Sequence, residues 1–322
     1  MEPVSVVDYQ TAGEPFRIVT DGGPTVPGAT VAERRLTAQS TPAIDAVRQL
    51  LVNEPRGHAD MYGCFVVPPD DAGAHFGVLF WHKDGYSTAC GHGTIALGAW
   101  AVESGLVPAA PDGETDVVID VPSGRVVARV TCTGGRVVDV AFQNVPSFVL
   151  ARSVPVAGVV ADISFGGAFY ASLPAASVGL TVTPEHYAEL IAIGRQIKWA
   201  LNDVAVHPTD PRLNGIYGTI LYDDLGALHQ RNVAVFADGQ VDRSPCGSGT
   251  SARLALLHAD GRVSPGESLL HESIVGTTFR GRIVSDGPAG ILTEVSGLAY
   301  RTGTATFTLD PHDPLGTGFT LR

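Results

Sequence analysis

The 322-residue chain carries a net charge of −12, with 44% hydrophobic and 17% charged residues and a mean hydropathy of +0.16, which excludes a disordered chain and, with no Lys/Arg cluster, a general nucleic-acid binder. No apolar run reaches the ~18 residues of a membrane span, and Glu2 and Asp8 stand where a signal peptide needs basic residues, so a soluble cytoplasmic protein is expected. Four cysteines, at 64, 90, 132 and 246, are too few for a disulfide scaffold and include no C-x-x-C pair for zinc or thioredoxin-type chemistry.

In chain order, Thr41-Pro42 opens a helix, with Thr at the N-cap and Pro at the first helical position. Phe76–Trp81 reads as a strand closed by the turn Lys83-Asp84-Gly85. Cys90-Gly91-His92-Gly93-Thr94 follows and leads into a short helix over Thr94–Val102, with Gly105 where a helix C-terminus favours glycine. Val117–Val130 and Val137–Phe142 alternate or run apolar as strands do. Val154–Val160 reads as a linker or a further strand. Thr183-Pro184 opens a helix over 184–201, whose Tyr187, Leu190, Ile191, Ile197 and Leu201 need only packing to explain them. Next come a strand over Asn232–Phe236, the turn Ala237-Asp238-Gly239, and Cys246-Gly247-Ser248-Gly249-Thr250. A helix over Thr250–His258, Gly261, and strands over Thr277–Val284 and Ile291–Val295 complete the series.

This order is a repeat. The two Cys-Gly-x-Gly-Thr segments are offset by 156 residues, and Gly105 and Gly261 each lie fifteen residues after their cysteine. Gly124-Arg125 and Gly281-Arg282 recur 34 and 35 residues after it. The length suits two such units, so two similar α/β halves are expected: residues 1–152 with Cys90 and 153–322 with Cys246, the last strand free to return to the first half.

Each cysteine stands where a strand and turn enter a helix. The first helical N–H groups have no intrahelical partner and the helix dipole is positive there, so both effects favour a thiolate and depress the thiol pKa. The flanking glycines let a ligand approach the backbone, and the free N–H groups of Gly91, His92, Gly247 and Ser248 can hold a carboxylate. If a pseudo-two-fold axis relates the halves, two thiols flank one cleft. One removes a proton from a carbon stereocentre while the other donates a proton from the opposite face, a two-base racemisation or epimerisation. The same N–H donors would stabilise the enediolate-like charge on the substrate carboxylate.

Asp242–Thr250 and Cys90–Gly93 resemble the two signatures of the proline racemase family, and Thr11–Pro15, Pro55–Gly63 and Gly166–Tyr170 resemble further blocks of it. The likeness spans nearly the whole chain. It implies the diaminopimelate-epimerase-like fold, an α/β architecture of two pseudo-symmetric halves. Each half is a curved sheet around a central helix, with the active site between them. It implies no metal and no cofactor, a small proline-like substrate, and a monomer or homodimer. By position, Cys90 and Cys246 are the acid/base thiols, Tyr62 and Phe236 line the pyrrolidine pocket, and His92 and Asp242 lie near the ring nitrogen.

Gly85–Cys90, Thr20–Pro24 and Gly166–Tyr170 look most like the trans-3-hydroxy-L-proline dehydratase branch, which usually has Thr at the second cysteine position. Cys246 stands there instead, so both faces of the substrate carry a proton carrier. That favours a 4-hydroxyproline 2-epimerase or proline racemase, with the dehydratase, or an enzyme doing both, as the alternative. A binder that performs no chemistry is a third reading, against which the paired thiols speak.

Plainer roles are open to the same residues. His92 can serve by its backbone N–H alone, Asp242 can cap the turn before Cys246, and Tyr62 and Phe236 can be core aromatics. Cys64 and Cys132 read as small buried hydrophobes. His58 and Asp60 lack a third ligand for a metal and read as structural; Glu14 shapes the cleft or caps a turn.

Overall fold

The computed structural model describes residues 1–321. In the first half, the hairpin Val4–Thr11 (β1) and Glu14–Asp21 (β2) is followed by helices Val31–Ser40 (α1) and Pro42–Val52 (α2). Strands Tyr62–Val67 (β3), Phe76–His82 (β4) and Gly85–Tyr86 (β5) lead into helix Gly91–Glu103 (α3). The antiparallel meander Gly113–Val121 (β6), Gly124–Thr133 (β7) and Arg136–Gln143 (β8) follows.

The second half begins with Phe148–Val156 (β9), Val159–Phe165 (β10) and Phe169–Pro174 (β11), then helix Tyr187–Leu201 (α4). Ile216–Gly226 (β12), His229–Phe236 (β13) and Gln240–Asp242 (β14) lead into helix Gly247–Ala259 (α5). Ser268–Ser273 (β15), Thr278–Gly287 (β16), Gly290–Gly297 (β17) and Ala299–Phe307 (β18) follow it.

The strands wrap two central helices. β1, β2, β6, β7, β8 and β18 curl around α3, while β9, β10, β11 and β16 curl around α5; β17 touches both. A helix enclosed in this way must be apolar or internally satisfied all round. In α3 the first charged residue is Glu103, at its last position. In α5, buried from Gly247 through Leu257, the buried Arg253 lies 3.9 Å over the Tyr222 ring and donates to Gln230 Oε1 at 3.2 Å. Gly105 (φ +75°) and Gly261 (φ +67°) end the two helices in the left-handed region. Val107 N–H closes on the Ala101 carbonyl at 2.9 Å and Arg262 N–H on that of Leu257 at 2.8 Å.

Two strand pairings stitch the halves together, beside isolated bridges such as Glu54 with Phe319. β8 pairs antiparallel with β17, and β18 returns to pair antiparallel with β1, with Val4 opposite Phe307. The division at 152/153 falls inside β9. Val154–Val160 is neither a linker nor one strand: it is the β9–β10 hairpin, turning at Ala157 (φ +49°) and Gly158 (φ +81°).

Two local readings are corrected and one helix is added. Helix α1 had no counterpart in the sequence reading; Thr30 accepts the Glu33 N–H at 3.2 Å and Glu33 accepts the Ala29 N–H at 2.9 Å, which starts a helix of low apolar content. Thr41 caps α2 with its carbonyl, which accepts the Ile44 and Asp45 N–H groups, rather than with its hydroxyl. Thr183-Pro184 opens a single 3₁₀ turn, Pro184–His186, and the α-helix starts only at Tyr187.

Candidate active site

The central helices meet end to end. A Cβ added to Gly91 would sit 2.5 Å from Gly247 Cα, and one added to Gly247 would sit 2.7 Å from Gly91 Cα. No other residue fits this contact. It brings two helix N-termini, with their free N–H groups, to the same point. The cavity there is lined by Cys90, Gly91, His92, Asp242, Cys246, Gly247, Ser248, Tyr62 and Phe236, all nine residues expected from the sequence. Ala89, Tyr170, Tyr217 and Ala234 complete the lining.

Each thiol shares its position with a glycine three residues on. A Cβ on Gly93 would lie 2.7 Å from Cys90 Sγ, and one on Gly249 would lie 2.9 Å from Cys246 Sγ. Threonine at the next position ties each turn: Thr94 Oγ1 donates to the Cys90 carbonyl at 2.7 Å and Thr250 Oγ1 to that of Cys246 at 2.8 Å.

The two cysteines differ in backbone and neighbours. Cys90 is extended (φ −157°) and its Sγ accepts the Gly93 N–H at 3.2 Å. His92 Nδ1 stands 3.5 Å from that sulfur and 3.9 Å from Asp242 Oδ2. Cys246 holds φ +65°, a conformation that costs a non-glycine residue roughly 1–3 kcal/mol. A buried turn enforces it: Asp242 Oδ1 accepts the Ser244 N–H at 2.8 Å and the Ser244 hydroxyl at 2.7 Å, and Ser244 Oγ accepts the Cys246 N–H at 3.1 Å. Asp242 therefore caps this turn with one oxygen and faces His92 with the other. Tyr170 hydroxyl lies 3.6 Å from Cys246 Sγ and 2.7 Å from Ser248 Oγ.

The expectation of depressed thiol pKa values is not met. Burial pushes both thiols up, and nearby Asp242 adds to the rise. The Gly93 N–H lowers Cys90, and the Tyr170 hydroxyl and Gly249 N–H lower Cys246, without reversing the direction. Desolvation outweighs the helix terminus because both sulfurs are sealed from water. Burial also lowers the His92 pKa against the opposing pull of Asp242, which keeps the imidazole neutral.

The aromatic wall is tightly joined. Tyr62 hydroxyl bonds Ser87 Oγ and lies 3.2 Å from the Tyr217 hydroxyl. Phe236 stacks on Tyr217 with ring centres 5.3 Å apart, and His92 meets Tyr62 edge-on at 5.1 Å. From behind, the first half grips the second cysteine loop: Asp60 Oδ2 takes Arg243 Nη2 at 2.6 Å and Glu14 Oε2 takes the Arg243 N–H at 2.7 Å. Asp60 and His58 are thus used structurally, the Asp60 N–H donating to His58 Nδ1 at 3.2 Å. Glu14 is fully buried; burial and Asp242 raise its pKa well above the usual carboxylate range. Cys64 and Cys132 are buried away from the cavity. Among the described residues no group of three or more His, Cys, Asp or Glu side chains gathers to hold a metal ion, and no helix is long and apolar enough to cross a membrane.

Tyr170 and Tyr217 were not expected at the site. Tyr170 ends a recognised block, Gly166–Tyr170, and that signal was available; Tyr217 belongs to no motif.

A family model described as proline racemase matches residues 6–320. A trans-3-hydroxy-L-proline dehydratase from Burkholderia cenocepacia is 44% identical, covering 99% of this chain and 98% of its own. A 3-hydroxyproline 2-epimerase from Burkholderia multivorans is 43% identical, with 99% and 98% covered. The crystal structure of a hydroxyproline epimerase from Agrobacterium vitis, with bound trans-4-hydroxy-L-proline, superposes with a TM-score of 0.91 at 31% identity, covering 99% of this chain and 96% of that one. The chain belongs to the proline racemase family, whose members are amino-acid racemases and epimerases together with dehydratases, and it has that family's diaminopimelate-epimerase-like fold.

Proposed function

We propose that this protein acts on 3-hydroxyproline, dehydrating trans-3-hydroxy-L-proline and also inverting its α-carbon, without a cofactor. Two thiols at touching helix N-termini, in a chain 44% identical over its length to a trans-3-hydroxy-L-proline dehydratase, carry the reading. The N–H groups of Gly91, His92, Gly247 and Ser248 hold the carboxylate and stabilise the charge that grows on it as the α-proton leaves. His92 and Asp242 receive the ring nitrogen, and Tyr62 and Phe236 flank the ring.

The stereochemistry explains how one site serves both outcomes. In trans-3-hydroxy-L-proline the hydroxyl is trans to the carboxylate, so the Cα–H and C3–O bonds share one ring face. One thiolate takes the α-proton and, as the thiol, returns a proton to the departing oxygen. Cα–H and C3–O break, C2=C3 forms, water leaves, and the enamine tautomerises to a cyclic imine. If the opposite thiol delivers a proton to Cα first, the product is the cis-3-hydroxy-D epimer. The pair thus shares one mobile proton, with each sulfur acting as base or acid in turn.

A second reading, 4-hydroxyproline 2-epimerase or proline racemase, draws support from Cys246 and from the similarity to the epimerase with bound trans-4-hydroxy-L-proline. One experiment separates them: incubation of trans-3-hydroxy-L-proline, both 4-hydroxyprolines and proline with the protein in deuterated water. The expected result is a cyclic imine, trapped with aminobenzaldehyde, from the 3-hydroxy compound, with deuterium at Cα of its epimer. Epimerisation of trans-4-hydroxy-L-proline with no imine from any 3-hydroxyproline would overturn the proposal in favour of the second reading.

A further inference from the structure

The space between the thiols amounts to about 10 Å³, room for one water-sized sphere. On the other side of Tyr217, which lines both cavities, a second cleft of about 250 Å³ opens between the halves. Ser87, the hydrogen-bond partner of Tyr62, forms part of its wall.

The charges in this cleft do not balance. Its two acids have their own partners: Asp84 Oδ2 takes Lys83 Nζ at 2.6 Å and the Asp238 N–H at 2.9 Å. The Asp238 carboxylate is gripped by Arg195 and by the Trp199 indole N–H at 3.0 Å. Its two lining cations make no ion pair in contact range among the described residues, although Asp238 and Asp84 attract Lys198 from further off. Lys198, one of only two lysines in the chain, is 6% exposed. Its Nζ stands 3.5 Å from the centre of the Trp199 ring and makes no hydrogen bond among the described residues. Arg35 places Nε and Nη2 on one acceptor, the Tyr86 carbonyl, at 3.1 and 2.8 Å, and has no carboxylate in ion-pair range among the described residues. A buried cation without a contacting carboxylate is costly, and the buried Lys198 and half-buried Arg35 face one hollow whose acids are each held by another cation or donor, in a chain of net charge −12. Apolar Phe169 and Ile216 share the lining with the amides of Asn202 and Asn214. The cleft is the size of a small ring and its lining mixes apolar, amide and cationic groups.

We propose that this cleft is a carboxylate-binding vestibule, in which Lys198 and Arg35 hold the anionic end of the imino acid before it passes Tyr217 to the thiols. The proposal rests on the imino-acid reading of the catalytic cavity. Such a funnel raises the local concentration of an anionic group that the overall charge would repel.

Two measurements test it, with Lys198→Met as the variant and Lys198→Arg as its conservative control. In turnover, Lys198→Met should raise KM by about five- to tenfold with kcat unchanged and flatten the salt dependence of kcat/KM, while Lys198→Arg should restore both. Independently of activity, iodide should quench Trp199 fluorescence, identified by its loss in Trp199→Phe. The quenching constant should fall by about threefold or more in Lys198→Met, with acrylamide quenching unchanged. Pyrrole-2-carboxylate should protect Trp199 from iodide in the parent protein better than chloride at equal ionic strength. Unchanged iodide quenching and KM in Lys198→Met, or equal protection by chloride, overturns the vestibule. Failure of the catalytic reading looks different: no proline derivative is turned over and pyrrole-2-carboxylate does not raise the melting temperature of either protein.

Discussion

The two halves build the same turn and use it differently. Cys90 and Cys246 each precede Gly-x-Gly-Thr, each has a glycine clearing space for its sulfur, and each is tied by a threonine hydroxyl. Yet Cys90 rests in extended backbone beside His92, while Cys246 is forced to φ +65° beside Tyr170 and Ser248. A repeat can duplicate a scaffold and leave the two reactive groups unequal. Two unequal thiols suit a site in which one face performs elimination and the other reprotonation.

The largest expected effect breaks that equivalence. Because the dehydratase branch that the sequence resembles usually has Thr at the second cysteine position, Cys90 is the proposed base for elimination. Cys90→Ser should lower imine formation from trans-3-hydroxy-L-proline by about a thousandfold or more. Cys246→Ser should keep most imine formation and lose epimerisation by a similar factor. Both products are read in one chiral chromatography run, and equal loss of imine in the two variants would remove the division of labour.

Stability offers the next test. Each half buries a histidine whose pKa burial pushes down to about 3: His82 in the first and His271 in the second. Both are neutral when folded and take a proton near 6.5 when unfolded, so their contribution is intact above that value and is lost as pH falls from 6.5 toward 3. The loss is about 2 kcal/mol per residue at pH 5. The melting temperature should fall steadily from pH 7 to pH 5; a flat profile contradicts neutral burial.

Thiol ionisation gives a smaller, sharper signal. Since burial raises both thiols, thiolate is scarce at neutral pH, and kcat/KM should climb by up to about tenfold per pH unit through pH 7 to 8. A plateau already reached at pH 6 would mean that the helix termini dominate after all. The smallest expected effect concerns the turn that holds Cys246. Ser244→Ala removes the link between Asp242 and the Cys246 N–H and should cost about 1 kcal/mol of stability, seen as a lower denaturation midpoint. It should slow epimerisation more than imine formation, whereas equal slowing of the two would show that the turn serves both thiols alike.

The sequence exposed the parts of this molecule that backbone geometry dictates. Glycines 91, 93, 247 and 249 are demanded by helix contact and by the sulfurs, so the motif and its partner were visible as a repeat. Gly105 and Gly261 marked helix ends because left-handed backbone favours glycine. What stayed hidden depends on distant contacts. Tyr217 lies on a strand where a cavity-lining aromatic looks like any core aromatic, whereas Tyr170 ends a block that marked it. Helix α1 is polar over most of its length and so has no clear apolar period, although Thr30 caps it and Glu33 accepts the Ala29 N–H just before the cap. The direction of the thiol pKa values was misjudged because a helix terminus is legible in sequence and the depth of burial around it is not.

The pairing of β18 with β1 bears on how the chain is made. Phe307 is synthesised some three hundred residues after Val4, so one edge of β1 has no native partner until that much more of the chain has been made. An unpaired edge recruits other strands, and contacts this distant in sequence form slowly. The first half cannot close around α3 as it is translated. A chain that stops short of β18 therefore keeps an open strand edge on β1, the kind of edge that invites pairing with other chains.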